Sequence, residues 1–376
     1  MTGSVFDFLT AGRIVFGRGK ADVVASAVRA MGQRVLLVRG RSVSWVDTLA
    51  ATLGAQTTTV ICQGEPTIDM VDDAVRVARA AGCDVVLAVG GGSVIDLGKA
   101  VAALVPGATN IMDHLESVGR AQPLGADPLP FVAVPTTSGT GAEVTKNAVI
   151  AVPAAGRKVS LRDNRMLPNL AVIDPALTDN APRGQTLASG LDALTQVVEP
   201  YLSGRANPLT DALCRAAIPQ GARALSQLAQ AETQGARDDM AFVSLMGGLA
   251  LANAGLGAVH GLAGVMGGRL GAPHGLICGR LLGPVLAANA TALPDNTRFE
   301  EVAQWLGAGF DMDPSSVFET LPHHLDKWGV ARLGQWVTPQ VDLMQIAQEA
   351  ASASSMQANP CVLPANVLVK VMQQAI

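Results

Sequence analysis

Aromatic side chains are scarce in this 376-residue sequence: Phe, Trp and Tyr together make up 3%, with a single tyrosine. Binders of single-stranded nucleic acid stack bases on such rings, so the shortage removes that platform. Charge is sparse as well, at 15% Asp, Glu, Lys and Arg, with a net −4 and a pI near 5.7. No basic run stands out, which argues against a nucleic-acid partner. Cysteine is limited to five positions (Cys62, Cys83, Cys214, Cys278 and Cys361), an odd number never in C-x-x-C spacing. That pattern builds neither a disulfide frame nor a zinc knuckle and fits reduced thiols in a cytoplasmic protein. Met1 to Leu9 shows no basic patch followed by an apolar run, so no signal peptide is expected. The nearest approach to a membrane span is Met246 to Met266, whose glycines and central His260 favour a buried helix and loop. What is abundant is aliphatic: 49% of residues are hydrophobic, which excludes disorder and leaves Ala, Val and Leu to fill the core. The length suits two domains of ordinary size.

From Gly32 onward the first half alternates. Arg34 to Val38 reads as a strand, Arg39 to Ser42 as a turn, Val43 to Leu53 as a helix, and Gln56 to Cys62 as a second strand. A helix over Thr67 to Ala81 precedes Asp84 to Val89, a nearly unbroken run of Val, Leu and Ala. Apolar runs of this kind between amphipathic helices are strands buried on both faces. The expectation is a doubly wound parallel sheet, Rossmann-like, with ligand sites beyond the carboxyl ends of its strands.

Two strand ends carry glycine-rich loops. Gly90-Gly91-Gly92-Ser93 leads into a helix over Val94 to Leu104, exposing unpaired N–H groups at the positive end of the helix dipole, where a phosphate is favoured. This is not the G-x-G-x-x-G fingerprint, and a tight turn alone would also account for it. The second loop runs from Pro135 to Thr145 after the strand Phe131 to Val134. It offers neutral hydroxyl donors for phosphate and ribose, or else is a polar hairpin loop. Arg39-Gly40-Arg41 closes the first strand where NAD enzymes often place an acid. Two guanidiniums there suit a 2′-phosphate, and so acceptance of NADP, unless they are simply solvated.

After Ile173-Asp174-Pro175 the alternation stops. Ala- and Leu-rich helices are expected over Thr186 to Tyr201, Pro208 to Ala229, Asp239 to Val259 and His274 to Ala288, with shorter pieces to Ile376. This shift separates a dinucleotide-type domain, residues 1–178, from a helical domain, residues 179–376. The short linker suggests close packing, with a reaction cleft between the two. Asp192 and Gln196 stand four apart, on one face of an otherwise apolar helix, where an unpaired carboxylate is costly. His260 and His274, two of five histidines, are each followed by glycine. Pro273 places His274 at the amino end of its helix. The bland alternatives are a helix-start acid and core histidines bonded locally. Together, one carboxylate, one amide oxygen and two imidazoles make a four-donor site suited to Zn2+ or Fe2+. His114 and the pair His323-His324 read as structural or surface residues.

The order of these motifs resembles the iron-containing (group III) alcohol dehydrogenase family nearly end to end. Phe16-Gly17-Arg18-Gly19, Gly64-Glu65-Pro66-Thr67, GGGSVID at 90–96, PTTSGTGAEVT at 135–145, Ile173-Asp174-Pro175, LDALTQ at 191–196, the histidine pair and Asn359-Pro360 all carry it. The resemblance implies the dehydroquinate synthase-like fold: an α/β dinucleotide-binding domain followed by an all-helical metal-binding domain. It implies NAD or NADP held by Gly91, Gly92 and Ser93, approached by Asp96, Thr136, Thr137 and Thr140, with Lys158 near the nucleotide; Gly40 and Glu65 are counted with them. It implies a divalent metal, Fe2+ or Zn2+, on Asp192, Gln196, His260 and His274, with Asp192, His260 and His274 as the catalytic group. Two positions depart from the family. Gln196 stands where its second ligand is usually histidine, and Gly264 where many members carry a proton-relaying histidine. The first departure weakens the expected metal, because an amide oxygen is a poorer donor than imidazole; the second leaves the alkoxide proton to depart by water or a cofactor ribose hydroxyl.

The implied activity is reversible hydride transfer between nicotinamide and an alcohol or aldehyde, the ion acting as Lewis acid. A homodimer acting on a small alcohol or carbonyl compound, without nucleic acid or membrane, is expected. A metal-independent reductase of an unsaturated keto acid, as in maleylacetate reductase, is the rival. A lyase resembling dehydroquinate synthase would need clustered basic residues, and Arg269, Arg280 and Lys327 are scattered. A non-catalytic binding protein is the remaining class.

Overall fold

The computed structural model describes residues 5–41 and 44–376. Ser42 of the expected turn, Val43 at the expected helix start and the first four residues lie outside that range. By internal contacts the chain divides into two units. One comprises Leu9–Thr137 and Gly141–Asp179; the other comprises Asn180–Ile376 together with Ser138–Thr140 and residues 5–8.

The first unit is built on β1 (Ile14–Phe16), α1 (Val24–Met31), β2 (Val35–Arg39), α2 (Trp45–Leu53), β3 (Thr57–Ile61), α3 (Ile68–Ala80), β4 (Val85–Gly90), α4 (Gly92–Leu104) and β5 (Phe131–Pro135). A hairpin of β6 (Asn147–Val152) and β7 (Arg157–Arg162) follows, then β8 (Leu170–Ile173). Six strands form one parallel sheet in the order β1-β8-β5-β4-β2-β3, and β6 and β7 pair antiparallel on their own. Alternate residues of the central strands feed opposite faces. Leu36, Val38, Val86 and Ala88 pack with α3 and α4. Val35, Leu37, Val85, Leu87 and Val89 pack with α1 and α2. This double coverage explains why the strands read as continuous apolar runs. From β2 the chain first goes outward to β3, then returns to the other side of β2 for β4 and β5. The carboxyl ends of β2 and β4 therefore flank a topological switch point, where such sheets bind ligands.

The second unit is wholly helical in its regular elements: α5 (Arg183–Leu202), α6 (Pro208–Gln230), α7 (Gln234–Ala254), α8 (Ala258–Leu270), α9 (His274–Ala292), α10 (Thr297–Phe310), α11 (Val317–Lys327), α12 (Leu343–Ala351) and α13 (Ala365–Ala375). Its core joins α5, α6, α7 and α9 through residues such as Leu194, Ile218, Val243 and Leu281, all fully buried. The helix expected from Asp239 to Val259 is in fact two helices. α7 stops at Ala254 and α8 starts at Ala258, with a bend of 101° between them. Gly255 takes φ +74°, a left-handed conformation that ends the helix. His260 consequently sits in the first turn of α8 rather than beyond the end of α7. Helix α9 is long and apolar enough to cross a membrane by length and composition, but 67% of its most apolar window is buried inside the protein. That burial is what a core helix shows.

Candidate active site

At the switch point, β2 runs into Gly40 and β4 ends on Gly90. The N–H of Gly40 donates to the carbonyl of Val89 at 3.3 Å, and that of Thr136 to Gly90 at 3.0 Å, so three loops lie side by side. Among the described residues no side chain caps α4, which starts at Gly92. Its first-turn N–H groups at Gly92 and Ser93 are therefore uncommitted to any side-chain cap, as an anion site requires. Glycine at 91 eases a tight spot: a Cβ there would lie 3.3 Å from the hydroxyl oxygen of Thr137. The loop surface is thus bare backbone facing hydroxyl groups, a cradle that fits a pyrophosphate. Asp96, one turn into α4, accepts the N–H of Val149 at 3.2 Å and ties the β6–β7 hairpin to the helix. Burial pushes its carboxyl up to about 6 against the opposing charge of Lys99. Lys158 on that hairpin and Glu65 form an ion pair at 2.5 Å. Thr140 belongs by contacts to the helical unit. Arg39 is engaged by the carboxylate of Asp47, while Arg41 is exposed.

In the helical unit, Asp192, His260, His274 and Cys278 each direct one donor atom into a common space, and these atoms all lie within 4.8 Å of one another. Helix packing creates this meeting. A Cβ on Gly275 would fall 2.0 Å from the carbonyl oxygen of Ala188, and one on Gly279 2.5 Å from Leu191 Cδ1. Only glycine at these two positions lets α9 settle against α5, which carries Asp192. The Nε2 atom of His260 lies 3.2 Å from Asp192 Oδ1, and that of His274 lies 3.9 Å from the same oxygen. His274 Nε2 is 3.6 Å from Cys278 Sγ.

Glu199, one further turn along α5 from Gln196, anchors this group. Its Oε1 accepts the N–H of Val259 at 2.7 Å and its Oε2 lies 2.6 Å from His260 Nδ1. A carboxylate only accepts, so Nδ1 carries the proton and Nε2 of the neutral ring presents a lone pair. That lone pair faces a second carboxylate, Asp192. Two acceptors at 3.2 Å require positive charge between them, either a proton or a metal ion. In the absence of a metal, protonation takes the role. Burial opposes charge on His260, but Cys278, Glu199 and Asp192 outweigh it and hold the imidazole well above its ordinary value. Burial likewise disfavours charge on Asp192, yet the bond from His260 and the charge of His274 hold its carboxyl below the usual range. The Cys278 thiol is held low by the same two imidazoles against the effect of burial.

Gln196 is 4% exposed and its Oε1 has no hydrogen-bond partner among the described residues. Its amide bonds to Asp192, so the N–H faces the carboxylate and the oxygen is the orphan. Leaving a buried acceptor unpaired costs about 1–3 kcal/mol, and sites built around an absent cation show such atoms. A carboxylate, two imidazoles whose Nε2 atoms face the common space, a thiol and an orphaned amide oxygen fit a divalent metal. Cys278 and Glu199 are absent from the sequence-derived site. Helical spacing could have found both, because Cys278 is four residues after His274 and Glu199 seven after Asp192. Among the described residues, nothing lies within 4 Å of where a Cβ on Gly264 would stand, so the position of the relay histidine is open space. His114 is buried and bonded to Thr109 and the carbonyl of Gln122, while His324 packs against Phe310 and Trp328. Both are structural.

A parallel sheet with a glycine-rich loop at its switch point, and a helical unit whose acid and imidazoles could hold a metal, fit one class: metal-binding oxidoreductases that use a dinucleotide. Comparison with known proteins agrees. Residues 11–175 match the family profile for iron-containing alcohol dehydrogenase, and residues 186–376 match the C-terminal profile of the Fe-containing alcohol dehydrogenase family. The 1,3-propanediol dehydrogenase of Citrobacter freundii is 34% identical over 322 residues, covering 83% of this chain and 82% of that one. The probable alcohol dehydrogenase EutG of Escherichia coli is 38% identical over 244 residues, 65% of this chain; the match spans 60% of the length of EutG. Among solved structures, a 1,3-propanediol oxidoreductase superposes with a TM-score of 0.88 at 29% identity, covering 99% of this chain and 100% of that one. An alcohol dehydrogenase from Oenococcus oeni gives a TM-score of 0.88 at 27% identity, with 99% and 100% covered. The chain belongs to the iron-containing alcohol dehydrogenase family.

Proposed function

We propose that this protein interconverts a small alcohol and its aldehyde or ketone by hydride exchange with NAD(H), using a divalent metal. The observation that carries the proposal is the convergence of Asp192, His260 and His274 with Glu199 fixing the tautomer of His260. Asp192, His260 and His274 would hold the ion, with Gln196 or Cys278 completing the set. When bound, such an ion supplies polarisation of a carbonyl oxygen and stabilisation of developing negative charge. The contribution of the chain is orientation: Glu199 keeps the Nε2 lone pair of His260 directed inward, and Gln196 holds the Asp192 carboxylate in place. On the sheet unit, the bare backbone of Gly91 and Gly92 with Ser93, Thr136 and Thr137 suits the pyrophosphate, and the Glu65–Lys158 pair and Asp96 flank it. Arg39, which Asp47 engages, and Arg41 stand at the end of β2 and support acceptance of NADP as well.

The relatives named above are alcohol and propanediol dehydrogenases, which disfavours a metal-free reduction of an unsaturated keto acid. The test is absorbance at 340 nm with a panel of primary alcohols and aldehydes and both nicotinamide cofactors, before and after chelation. Activity lost on chelation and restored by Zn2+ or Fe2+ supports the proposal; full activity in a demetallated protein refutes it. His260→Ala is expected to abolish turnover while leaving NADH affinity nearly unchanged, and equal loss of both would count against the assignment. We further propose a homodimer in the cytoplasm, to be checked by light scattering and fractionation.

A further inference from the structure

We propose that Cys278 is a metal ligand, supplying a thiolate where the family position at Gln196 supplies only an amide. This inference rests on the reading that the helical unit holds a divalent ion. Cys278 is completely buried, which by itself would suit an apolar filler. Its surroundings are not those of a filler. Its sulfur lies 3.6 Å from His274 Nε2 and belongs to the same four-atom group as the Asp192 and His260 donors.

The spacing is that of a coordination shell. Bonds of about 2.0–2.3 Å to nitrogen, oxygen and sulfur in a tetrahedron put neighbouring donors roughly 3.3–3.7 Å apart. The observed edges are 3.2 Å from His260 to Asp192, 3.6 Å from His274 to Cys278, and 3.9 Å from His274 to Asp192. His274 and Cys278 stand one turn apart on α9 and face the same side, so one rigid helix presents both. The Gly275 and Gly279 contacts with α5 fix the distance of that helix from Asp192.

Gln196 gives the independent observation. Its N–H is committed to Asp192, and its buried oxygen is left without a partner. The pocket is thus shaped around something that satisfies acceptors, while its amide is the weakest donor present. A thiolate compensates for that weakness and makes the set softer. An Asp-His-His-Cys shell favours Zn2+, whereas harder oxygen and nitrogen donors alone do not separate it from Fe2+. On binding, the thiol proton and the proton between His260 Nε2 and Asp192 pass to solvent as the metal bonds to sulfur, nitrogen and oxygen form, with no change of oxidation state.

The test uses the full-length protein stripped of metal and loaded with Co2+. Cobalt in the wild-type site is expected to give visible d–d bands together with a near-ultraviolet thiolate-to-cobalt charge-transfer band. In Cys278→Ser the d–d bands and a 1:1 stoichiometry should persist while the charge-transfer band disappears. Affinity for Zn2+, measured by competition with a chromophoric chelator, should fall at least about tenfold. A charge-transfer band that survives in Cys278→Ser, or one absent from cobalt-loaded wild type, overturns the thiolate ligand but leaves the metal site standing. Failure of the wild type to bind cobalt or zinc at all overturns the metal reading itself. Should Cys278→Ser not fold, X-ray absorption at the zinc edge of the wild-type protein decides: a sulfur scatterer near about 2.3 Å supports the proposal, and a shell of nitrogen and oxygen alone refutes it.

Discussion

Glu199→Gln isolates the part of the site that acts without touching a metal. The carboxylate takes two donors, the N–H of Val259 at 2.7 Å and His260 Nδ1 at 2.6 Å. An amide accepts only through its oxygen. The backbone donor cannot move, so the oxygen of the substituted side chain would face Val259 and its NH2 would face Nδ1. The imidazole must then accept at Nδ1 and carry its proton on Nε2, where it donates to Asp192. Every bond of the metal-free state is kept, and the loss is the exchange of charge-assisted bonds for neutral ones, about 1–2 kcal/mol. The metal-bound state fares worse, because the lone pair that should point inward has become an N–H. The expected cost is about 10–100-fold in Zn2+ affinity, or roughly 1.4–2.7 kcal/mol. Chelator competition measures the affinity, urea unfolding of the stripped protein measures the stability, and nitrogen NMR of the imidazole reports the tautomer. A variant that binds Zn2+ within about twofold of wild type would refute the reasoning.

Gly275→Ala should destabilise the protein by roughly 1–3 kcal/mol in urea unfolding, because the added carbon meets the Ala188 carbonyl at 2.0 Å; helix propensity alone would stabilise it, so a gain in stability sinks the packing argument. Glu143 is 2% exposed, and burial pushes its carboxyl from 4.5 up to about 7. Its folded value is the raised one, so the stability it contributes is complete below pH 4.5 and is lost as the pH rises through about 7. Glu143→Gln should therefore gain on wild type across that window, by an amount on the order of 3 kcal/mol, and a constant difference at every pH would contradict this. Asp47→Asn releases Arg39 from its ion pair and should raise kcat/KM for NADPH relative to NADH by up to about fivefold, the scale of one surface pair. An unchanged ratio would remove Arg39 from cofactor choice.

Periodicity made the sheet legible because strands buried on both faces advertise themselves: Val85 to Val89 is apolar at every position and entirely buried. The loops at Gly90 and Thr136 were readable from glycine and hydroxyl content. Short edge elements were not. β1 is three residues long, and the β6–β7 hairpin pairs Asn147–Val152 with Arg157–Arg162, a weak alternation around a loop rather than a run. The break between α7 and α8 is hidden in the sequence because the Ala- and Leu-rich run continues through Gly255 and Gly257. Space dictates the second one: a Cβ on Gly257 would sit 2.8 Å from Glu199 Oε1. Asp192, His260 and His274 were found because acids and imidazoles are conspicuous in an apolar run. Cys278 was passed over because a buried thiol looks the same in a sequence whether it packs or ligates. Only the closeness of three helices separates the two roles.

On α9, His274 and Cys278 are each followed directly by one of the glycines that seat the helix, Gly275 and Gly279. Neighbours in a helix point about 100° apart, so the donors and the seam occupy different sides of one rod. Exchanging a donor therefore leaves the docking of the helix alone. A lineage could retune which ion it holds by single substitutions on one side while keeping the glycines that seat the helix.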